Sequence, residues 1–353
     1  MAAKKVRVVI VDDTRSIRAM IRTLLASSDR IEVVGEAGDP YEARELIRAL
    51  NPDVITLDVV MPRMDGLSFL EKLMRLRPMP VVMVSTRTTE KSHDAVRALS
   101  LGAVDCIDLS SLRNGTSRVD LASTVLMAAK SNTFHFSQNN RTEAGVVNGY
   151  RWNGRTVLIG SSTGGVDALM TVLSAYPPNG PPTVVAQHMP AAFLVSFADR
   201  LNRNIAPHVS LAQAGQTVEP GHIYLAAGGE GHVALSRKFP PSLNVVPKVD
   251  EPYVPSVDVL MHSGEQHASK VVGVMLTGMG RDGAQGMLKM RNAGAHTIVQ
   301  SGATCVVDGM PKAARKIGAA VEVVALEKIG ASILRATSVE RADAERSAQA
   351  GAT

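Results

Sequence analysis

The stretch VLIGSSTGGVDAL, residues 157–169, joins an apolar strand pattern to a turn of small residues and then to a helical pattern. Such a turn offers free backbone N–H groups, which could bind a phosphate or support a reacting serine. Its spacing G-x-S-x-G presents the central hydroxyl, that of Ser162, at the end of a strand. A Walker-type loop needs a lysine, a dinucleotide fingerprint needs G-x-G-x-x-G, and the stretch has neither. The pattern therefore favours a serine nucleophile over a phosphate site.

A serine nucleophile needs a general base and a carboxylate that orients the base. His188 follows the apolar run TVVAQ, and Asp282 follows the run VVGVMLT and the glycine-rich GMGRDG. Both residues lie after a predicted strand, so a parallel sheet would bring them to the same edge as Ser162. Asp308 and Asp258 are weaker candidates for the carboxylate. The chain order Ser, His, Asp differs from that of an α/β-hydrolase, which predicts a different fold around a similar turn.

A second group of reactive side chains lies near the N-terminus. Asp12 and Asp13 follow the first predicted strand, Asp58 ends the third, and Ser85 ends the fourth. Neighbouring parallel strands place such residues together at one edge of a sheet. Three close carboxylates repel each other unless a hard cation lies among them, and Mg²⁺ prefers oxygen ligands. We expect Mg²⁺ at the three aspartates, with the Ser85 hydroxyl able to bond a phosphoryl oxygen.

The elements that would position this acidic group alternate between strand and helix patterns. Apolar positions at helical spacing lie between the strand patterns, and the pair Asp39-Pro40 marks a helix start. Five such units predict a parallel sheet covered on both faces. The predicted strands are residues 6–11, 31–37, 53–58, 81–85 and 103–107.

A second α/β series follows a stretch without periodicity, residues 132–151, whose Asn, Gly, Ser and Thr content is typical of a linker. The fold class is therefore α/β, with two doubly wound parallel-sheet domains. We expect the first domain at 1–125, the linker at 126–151, the second domain at 152–338 and a disordered polar tail at 339–353. The predicted strands of the second domain are residues 156–160, 183–187, 222–227, 271–277 and 296–300, with 304–307 as a further candidate.

Composition narrows the function classes. The 353 residues suffice for two cores, and the net charge of +5 comes without the basic runs that would indicate a nucleic-acid partner. The two cysteines, Cys106 and Cys305, are far apart, which favours a reducing compartment over a disulfide framework or a zinc site. No apolar stretch approaches the roughly 18 residues of a membrane span, and the N-terminus turns acidic too early for a signal peptide. We expect a cytoplasmic protein that is not embedded in a membrane.

The first half of the chain, residues 4–125, resembles a response-regulator receiver domain through its strand-end aspartates and the segment DVVMPRMDG. The resemblance implies a flavodoxin-like fold in which Asp58 accepts a phosphoryl group from a histidine kinase. It also implies that Asp12 and Asp13 help to hold Mg²⁺ and that Ser85 is the switch hydroxyl. The Asp58 carboxylate would act as the nucleophile, and the metal would neutralise charge on the transferring group.

One departure from the receiver pattern follows the fifth predicted strand. Receivers usually carry Lys-Pro there, with an aromatic residue three positions before the lysine. This chain has Leu109, Ser110 and Cys106 at those positions. Because the phosphoryl group would lose its ammonium partner, we expect Asp58 to be phosphorylated with a weakened or altered response.

The second half resembles the catalytic domain of the chemotaxis protein-glutamate methylesterase family (CheB), over about residues 152–335. The matching motifs are IGSSTGG, QHMP, SFADRL, PGHIYLA, PSVDVL, LTGMGRDGA, AGA and GMP. The resemblance implies a Rossmann-like three-layer α/β/α domain that needs no cofactor. It further implies hydrolysis of glutamate methyl esters on chemoreceptors, with release of methanol, and deamidation of receptor glutamines.

The catalytic triad of that family falls on Ser162, His188 and Asp282. His188 would take the proton of Ser162, Asp282 would fix the imidazole tautomer, and an acyl-enzyme would form on Ser162. The resemblance assigns the oxyanion to the backbone N–H groups of Thr163 and Met279. Taken together, the two halves imply an esterase whose serine edge is covered by the receiver until the receiver is phosphorylated.

Two other function classes stay open on the sequence. A phosphorylation-controlled binding module would use the second sheet to hold a nucleotide or another ligand rather than to cleave an ester. A DNA-binding response regulator would need a helix-turn-helix or winged-helix output, and the strand-rich pattern after residue 151 opposes that class.

Overall fold

The computed structural model describes residues 4–85, 92–109, 121–131, 149–229, 231–238, 240–248 and 253–339. The chain divides into two units, Met1–Asn140 and Arg141–Thr353, and each is described by itself. Most of the predicted linker, and the predicted tail apart from residue 339, lie outside the described residues. None of the helices within the described ranges is long and apolar enough to cross a membrane.

The first unit alternates strands and helices along the chain. The strands are β1 (Val6–Val11), β2 (Ile31–Ala37), β3 (Val54–Asp58), β4 (Val81–Ser85) and β5 (Asp105–Asp108). The helices are α1 (Arg15–Leu25), α2 (Pro40–Leu50), α3 (Gly66–Leu76), α4 (Ser92–Ser100) and α5 (Leu121–Ala128). The strands form one sheet in the order β2-β1-β3-β4-β5, and every neighbouring pair is parallel. The prediction of a five-stranded parallel sheet is confirmed.

Local sequence explains why these elements form where they do. The β-branched run of β1 is buried on both faces of the sheet, with Val8, Val9 and Ile10 fully inaccessible. Helix α2 begins at the predicted position because the Asp39 carboxylate caps it, accepting hydrogen bonds from the N–H groups of Tyr41 (2.8 Å) and Glu42 (3.1 Å). The buried strands and the cap give the acidic residues a rigid frame.

The second unit is a larger α/β assembly with an added hairpin. Its strands are β6 (Thr156–Ser161), β7 (Thr183–Gln187), β8 (His208–Leu211), β9 (His222–Leu225), β10 (Gly231–Leu235), β11 (Leu243–Pro247), β12 (Val271–Met275), β13 (His296–Gln300) and β14 (Glu322–Val324). Its helices are α6 (Gly165–Leu173), α7 (Ala191–Asn204), α8 (Val257–Gly264), α9 (Ala284–Asn292), α10 (Met310–Lys316) and α11 (Leu326–Ala336). Seven strands form a parallel sheet in the order β14-β13-β12-β6-β7-β9-β8, while β10 and β11 pair antiparallel beside it.

The strand predictions for the second unit are correct in place for β6, β7, β9, β12 and β13 and incomplete elsewhere. The candidate strand at 304–307 is wrong, because Gly302–Thr304 forms a 3₁₀ turn and the chain then makes an isolated bridge from Asp308 to Gly278. Strands β8, β10, β11 and β14 were not predicted. They are short and lie at sheet edges or in the hairpin. In β8, β11 and β14 partly exposed residues interrupt the apolar run; Val245 of β11 is 47% exposed. Strand β10 is buried but begins with Gly231 and His232, which leaves an apolar run of three residues.

The position of β6 in the sheet explains how distant residues meet. Strand β6 lies between β7 and β12. Ser161 of β6 is in register with Gln187 of β7, and Gly160 is in register with Met275 of β12. The three strands therefore end at one edge, and the loops that follow them carry the three predicted catalytic residues.

The two ends of the second unit pair with each other. The Tyr150 hydroxyl donates to Thr337 Oγ1 (2.9 Å), and Trp152 makes an antiparallel bridge with Ser338. Burial raises the pKa of the Tyr150 hydroxyl to about 12, so the phenol remains a donor at neutral pH. These contacts connect residues 150–152 to the second unit.

Candidate functional site

Ser162 is the first residue after β6, and its backbone is held on both sides. Its N–H donates to the Thr277 carbonyl (3.0 Å), and its carbonyl accepts from the Gly165 N–H (2.7 Å), which closes the turn into α6. The side-chain amide of Gln187 also donates to the Ser162 carbonyl (2.9 Å). The turn therefore fixes the direction of the Ser162 side chain, which is the arrangement expected of a strand-to-helix nucleophile.

Gln187 distinguishes the two serines of the turn. The hydroxyl of Ser161, which is fully buried, donates to Gln187 Oε1 (2.6 Å). The Gln187 amide donates in turn to the carbonyls of Ser162 and of His188 (3.1 Å). Ser161 thus has a structural hydrogen bond, whereas the Ser162 hydroxyl makes none with the described residues.

His188 follows β7 and donates its N–H to the Ser161 carbonyl (3.0 Å), which places it beside the serine turn. Its Nε2 lies 2.7 Å from Asp282 Oδ2. Its Nδ1 is buried and has no hydrogen-bond partner among the described residues. Because a carboxylate accepts hydrogen bonds, Nε2 carries the proton and Nδ1 is the nitrogen that can accept one.

Asp282 lies in the loop before α9, and its carboxylate contacts the N-terminus of α8. Its Oδ2 accepts from the Val257 N–H (2.7 Å), and its Oδ1 accepts from the Asp258 N–H (3.0 Å) and the Ser256 hydroxyl (3.1 Å). Ser256 is the N-cap of the helix and accepts from the Val259 N–H (3.3 Å). The first N–H groups of the helix, which have no partner within the helix, and the positive end of the helix dipole together hold the carboxylate.

Electrostatics keep the Asp282 carboxyl ionised. Burial is the largest single influence on its pKa and would raise it, but the hydrogen bond and charge of His188, with the N–H groups of Val257 and Asp258, outweigh burial and hold the pKa below its ordinary value. In contrast, burial raises the pKa of the neighbouring Asp258 carboxyl above its ordinary value. An ionised Asp282 can stabilise an imidazolium at His188.

The other two candidate carboxylates have different partners. Asp308 forms a bidentate pair with Arg315 (2.8 and 2.6 Å), and Asp258 Oδ1 accepts from the Gly286 N–H (2.7 Å). Of the three aspartates that the sequence left open, Asp282 is therefore the one hydrogen-bonded to His188.

The loop after β12 packs directly on the serine turn. A Cβ on Gly278 would lie 2.4 Å from Met310 Sδ and 2.7 Å from Ser162 Cβ, so only glycine fits at this position. Met279 follows Gly278, and Thr163 follows Ser162 at the start of α6. Of the two residues predicted to bind the oxyanion, Thr163 thus follows Ser162 directly, and Met279 follows the glycine that packs on Ser162.

Sequence reasoning missed Tyr253, Gln187 and Ser256. The Tyr253 ring stacks on the His188 imidazole, with 4.5 Å between ring centroids and an interplanar angle of 11°. The stacked ring restricts rotation of the imidazole that is hydrogen-bonded to Asp282. Ser256 could have been found as an N-cap, because it precedes the apolar residues of PSVDVL. No pattern within the sequence indicates the stacking of Tyr253.

The acidic cluster of the first unit consists of Asp12, Asp13 and Asp58. Each offers a carboxylate oxygen, and these oxygens lie within 4.8 Å of one another. Burial, with a smaller effect of the Asp13 charge, raises the pKa of the Asp12 carboxyl to about 6, although the Thr14 N–H and Arg18 lower it. Oxygen ligands and this repulsion fit a hard divalent cation.

The surroundings of Asp58 are close-packed. The Asp58 side chain accepts from the Val59 N–H (2.8 Å), and Gly66 approaches so closely that a Cβ there would clash with the Asp58 carbonyl. Ser85 ends β4, the strand next to β3, but its side chain and residue Ser110 lie outside the described residues. Leu109, where receivers usually carry lysine, is 1% exposed and packs in the core.

Two protein-family models match the chain. Residues 157–333 match the CheB methylesterase family, and residues 8–109 match the response regulator receiver domain family. The two matched ranges fall in the second and first units, respectively.

Individual relatives match along nearly the whole chain. A protein-glutamate methylesterase/protein-glutamine glutaminase of Caulobacter vibrioides is 47% identical over 352 residues, covering 96% of this chain and 99% of the relative. One from Rhizobium etli is 47% identical over 343 residues with the same coverage. Among solved structures, the Thermotoga maritima CheB methylesterase catalytic domain is 36% identical and covers 52% of this chain and 98% of that one, with a TM-score of 0.48.

Proposed function

Because the chain belongs to the CheB methylesterase family and carries a response regulator receiver domain, we propose that it hydrolyses glutamate methyl esters, and deamidates glutamines, on chemoreceptors. The observation that carries the proposal is the hydrogen bond between His188 and Asp282 at the strand edge where Ser162 lies. An ionised carboxylate, an imidazole with one unpartnered nitrogen and a serine on a fixed turn are the parts that acyl transfer requires.

Acylation begins with attack of Ser162 Oγ on the ester carbonyl. The Oγ–carbon bond forms while the Oγ proton moves to His188 Nδ1, and Asp282 stabilises the imidazolium through Nε2. Collapse of the tetrahedral intermediate breaks the bond to the methoxy oxygen, which takes the proton from Nδ1 and leaves as methanol. For a glutamine substrate the same steps release ammonia.

Deacylation repeats the sequence with water. His188 Nδ1 takes a proton from water, the hydroxide attacks the acyl carbon, and Ser162 Oγ leaves with the proton returned from the imidazolium. The product is a glutamate carboxylate. The N–H groups of Thr163 and Met279 are the proposed donors to the oxyanion in both halves, since Thr163 follows Ser162 and Met279 follows Gly278, which packs on Ser162.

We assign the first unit to regulation. The Asp58 carboxylate would attack the phosphorus of a kinase phosphohistidine, and the phosphorus–nitrogen bond would break as the acyl phosphate forms. Asp12, Asp13 and Asp58 would hold Mg²⁺, which would neutralise charge on the transferring group. We further propose that phosphorylation of Asp58 regulates the hydrolytic activity of the second unit by a population shift. Since Cys106 and Cys305 are free thiols, as is usual in a reducing compartment, we place this activity in the cytoplasm.

Methanol release from membranes that carry methylated chemoreceptors tests the proposed activity. The purified protein should release methanol and leave an equal amount of new glutamate carboxylate, while membranes with unmethylated receptors should yield none. A folded, phosphodonor-treated protein that releases no methanol would contradict the proposal and favour a ligand-binding role for the second sheet.

Phosphorylation of Asp58 is expected with a small-molecule phosphodonor and Mg²⁺. The wild type should give a shifted band on a phosphate-affinity gel and faster methanol release, whereas Asp58→Ala should give neither because the acceptor carboxylate is gone. A chelator should remove the shift by removing the metal. Asp29→Ala, at an exposed aspartate of the same unit, is the matched control. An unchanged band in Asp58→Ala would show that another residue is phosphorylated.

A further inference from the structure

The triad carboxylate owes its position to one end of one helix. Three of the four hydrogen bonds to Asp282 come from Ser256, Val257 and Asp258, the cap and first turn of α8. A displacement of this turn would move the carboxylate away from His188. The contacts that fix the start of α8 therefore also determine whether Asp282 can orient the His188 imidazole.

The hairpin beside the large sheet holds that turn. His232 of β10 is 1% exposed, and its Nδ1 accepts from the backbone N–H of Ser256 (3.0 Å). Three residues further along the strand, the Leu235 N–H donates to the Ser263 hydroxyl (2.9 Å), near the other end of α8. Strand β10 is thus hydrogen-bonded to both ends of the helix, with a histidine side chain at the catalytic end.

We propose that His232 is a positioning residue for the catalytic acid, acting through Ser256 on Asp282. The connection runs from His232 Nδ1 to the Ser256 N–H, from the Ser256 hydroxyl to Asp282 Oδ1, and from Asp282 Oδ2 to His188 Nε2. Each step is a hydrogen bond between buried or half-buried groups, where a lost partner has a large effect. This inference rests on the proposed function only in assigning His188 as the base.

The proposal requires one protonation state at His232. Nδ1 must be unprotonated to accept from Ser256, so the neutral ring carries its proton on Nε2. Asparagine can place Oδ1 where Nδ1 lies and keep an acceptor, whereas leucine fills similar space without one. The two substitutions therefore separate the hydrogen bond from the packing of the ring.

The test compares His232→Leu and His232→Asn with the wild type and with Ser263→Ala. His232→Leu should lower kcat for methanol release by about 10- to 100-fold, the range typical of residues that orient a primary ligand or base, and leave KM unchanged. The low-field proton signal of the His188–Asp282 hydrogen bond should disappear. His232→Asn should keep both kcat and the signal. Ser263→Ala, which loosens the other end of α8, should keep both as well.

Several results would overturn the proposal. A His232→Leu enzyme with wild-type kcat would do so, as would equal losses in His232→Leu and His232→Asn, or a loss of the same size in Ser263→Ala. If His232→Leu does not fold, the ¹⁵N chemical shifts of His232 in the wild type test the proposal instead. A proton on His232 Nδ1 in the pH range of activity would exclude the hydrogen bond from the Ser256 N–H and with it the positioning role. Failure of the proposed function can be told apart from failure of this proposal. If the wild type releases no methanol, the low-field proton signal of the His188–Asp282 hydrogen bond can still be compared between the wild type and the His232 variants.

Discussion

The Ser162→Ala variant is expected to lose about 10⁵- to 10⁶-fold in kcat for methanol release, the scale of loss when the nucleophile of a serine hydrolase is removed. The reason is that no acyl-enzyme can form, while binding and the oxyanion donors remain. The fold should be retained, since the Ser162 hydroxyl makes no hydrogen bond with the described part of the chain and the turn is held through backbone groups. Methanol release under single-turnover conditions measures the effect.

Ser161→Ala is the matched control, because it changes the adjacent serine of the same turn. The substitution leaves Gln187 Oε1 without its donor in a buried site and should destabilise the protein by about 1–3 kcal/mol. Catalysis should persist, as the nucleophile remains. Wild-type rates in Ser162→Ala together with inactivity in a folded Ser161→Ala would reverse the assignment of the two serines.

The Asp282→Asn variant is expected to lose about 10⁴-fold in kcat, although it keeps the size of the side chain. The amide can present an N–H to His188 Nε2, which would place the ring proton on Nδ1. Nδ1 could then no longer accept the Ser162 proton. In addition, an amide nitrogen in the place of Oδ2 cannot accept the hydrogen bond that the Val257 N–H gives to that oxygen. The kcat measured with methylated receptor membranes, compared at equal folded fraction, checks this.

Asp308→Asn tests whether the loss is specific to Asp282. Asp308 pairs with Arg315, on a partly exposed site, so its replacement should leave kcat near that of the wild type. If both aspartate variants lost activity equally, or if Asp282→Asn stayed active, the assignment of Asp282 as the orienting carboxylate would be wrong.

The amino-acid sequence was sufficient to predict the parts of the fold that rest on long apolar runs. Strands β1, β4, β7 and β13 have the predicted bounds because both faces of each are largely buried. Strand β2 also has the predicted bounds, although it lies at the sheet edge and Glu32 is exposed. Strands β8, β11 and β14 escaped prediction, since their partly exposed faces give short, interrupted patterns. Strand β10 is buried, but it begins with Gly231 and His232 rather than with an apolar run. Residues 304–307 were wrongly predicted as a strand because a few apolar residues beside a buried turn resemble one.

The three catalytic residues of the site could be predicted because each follows a strand that the sequence also predicts. Ser162, His188 and Asp282 all follow buried parallel strands, so a sheet that brings those strand ends together also brings the side chains together. The supporting residues have no such signal. His232 lies in a hairpin and Tyr253 in a loop, and their contacts with Ser256 and His188 depend on how these segments pack on α8 and β7.

A crystal structure of the protein after reaction with a phosphonate ester, which mimics the tetrahedral intermediate, would show whether Ser162, His188 and Asp282 act together. We expect a covalent bond from phosphorus to Ser162 Oγ, with His188 Nδ1 within hydrogen-bond distance of the reacting oxygens and Nε2 still hydrogen-bonded to Asp282. A phosphonate attached to another residue, or an imidazole whose Nδ1 points away from Ser162, would contradict this expectation.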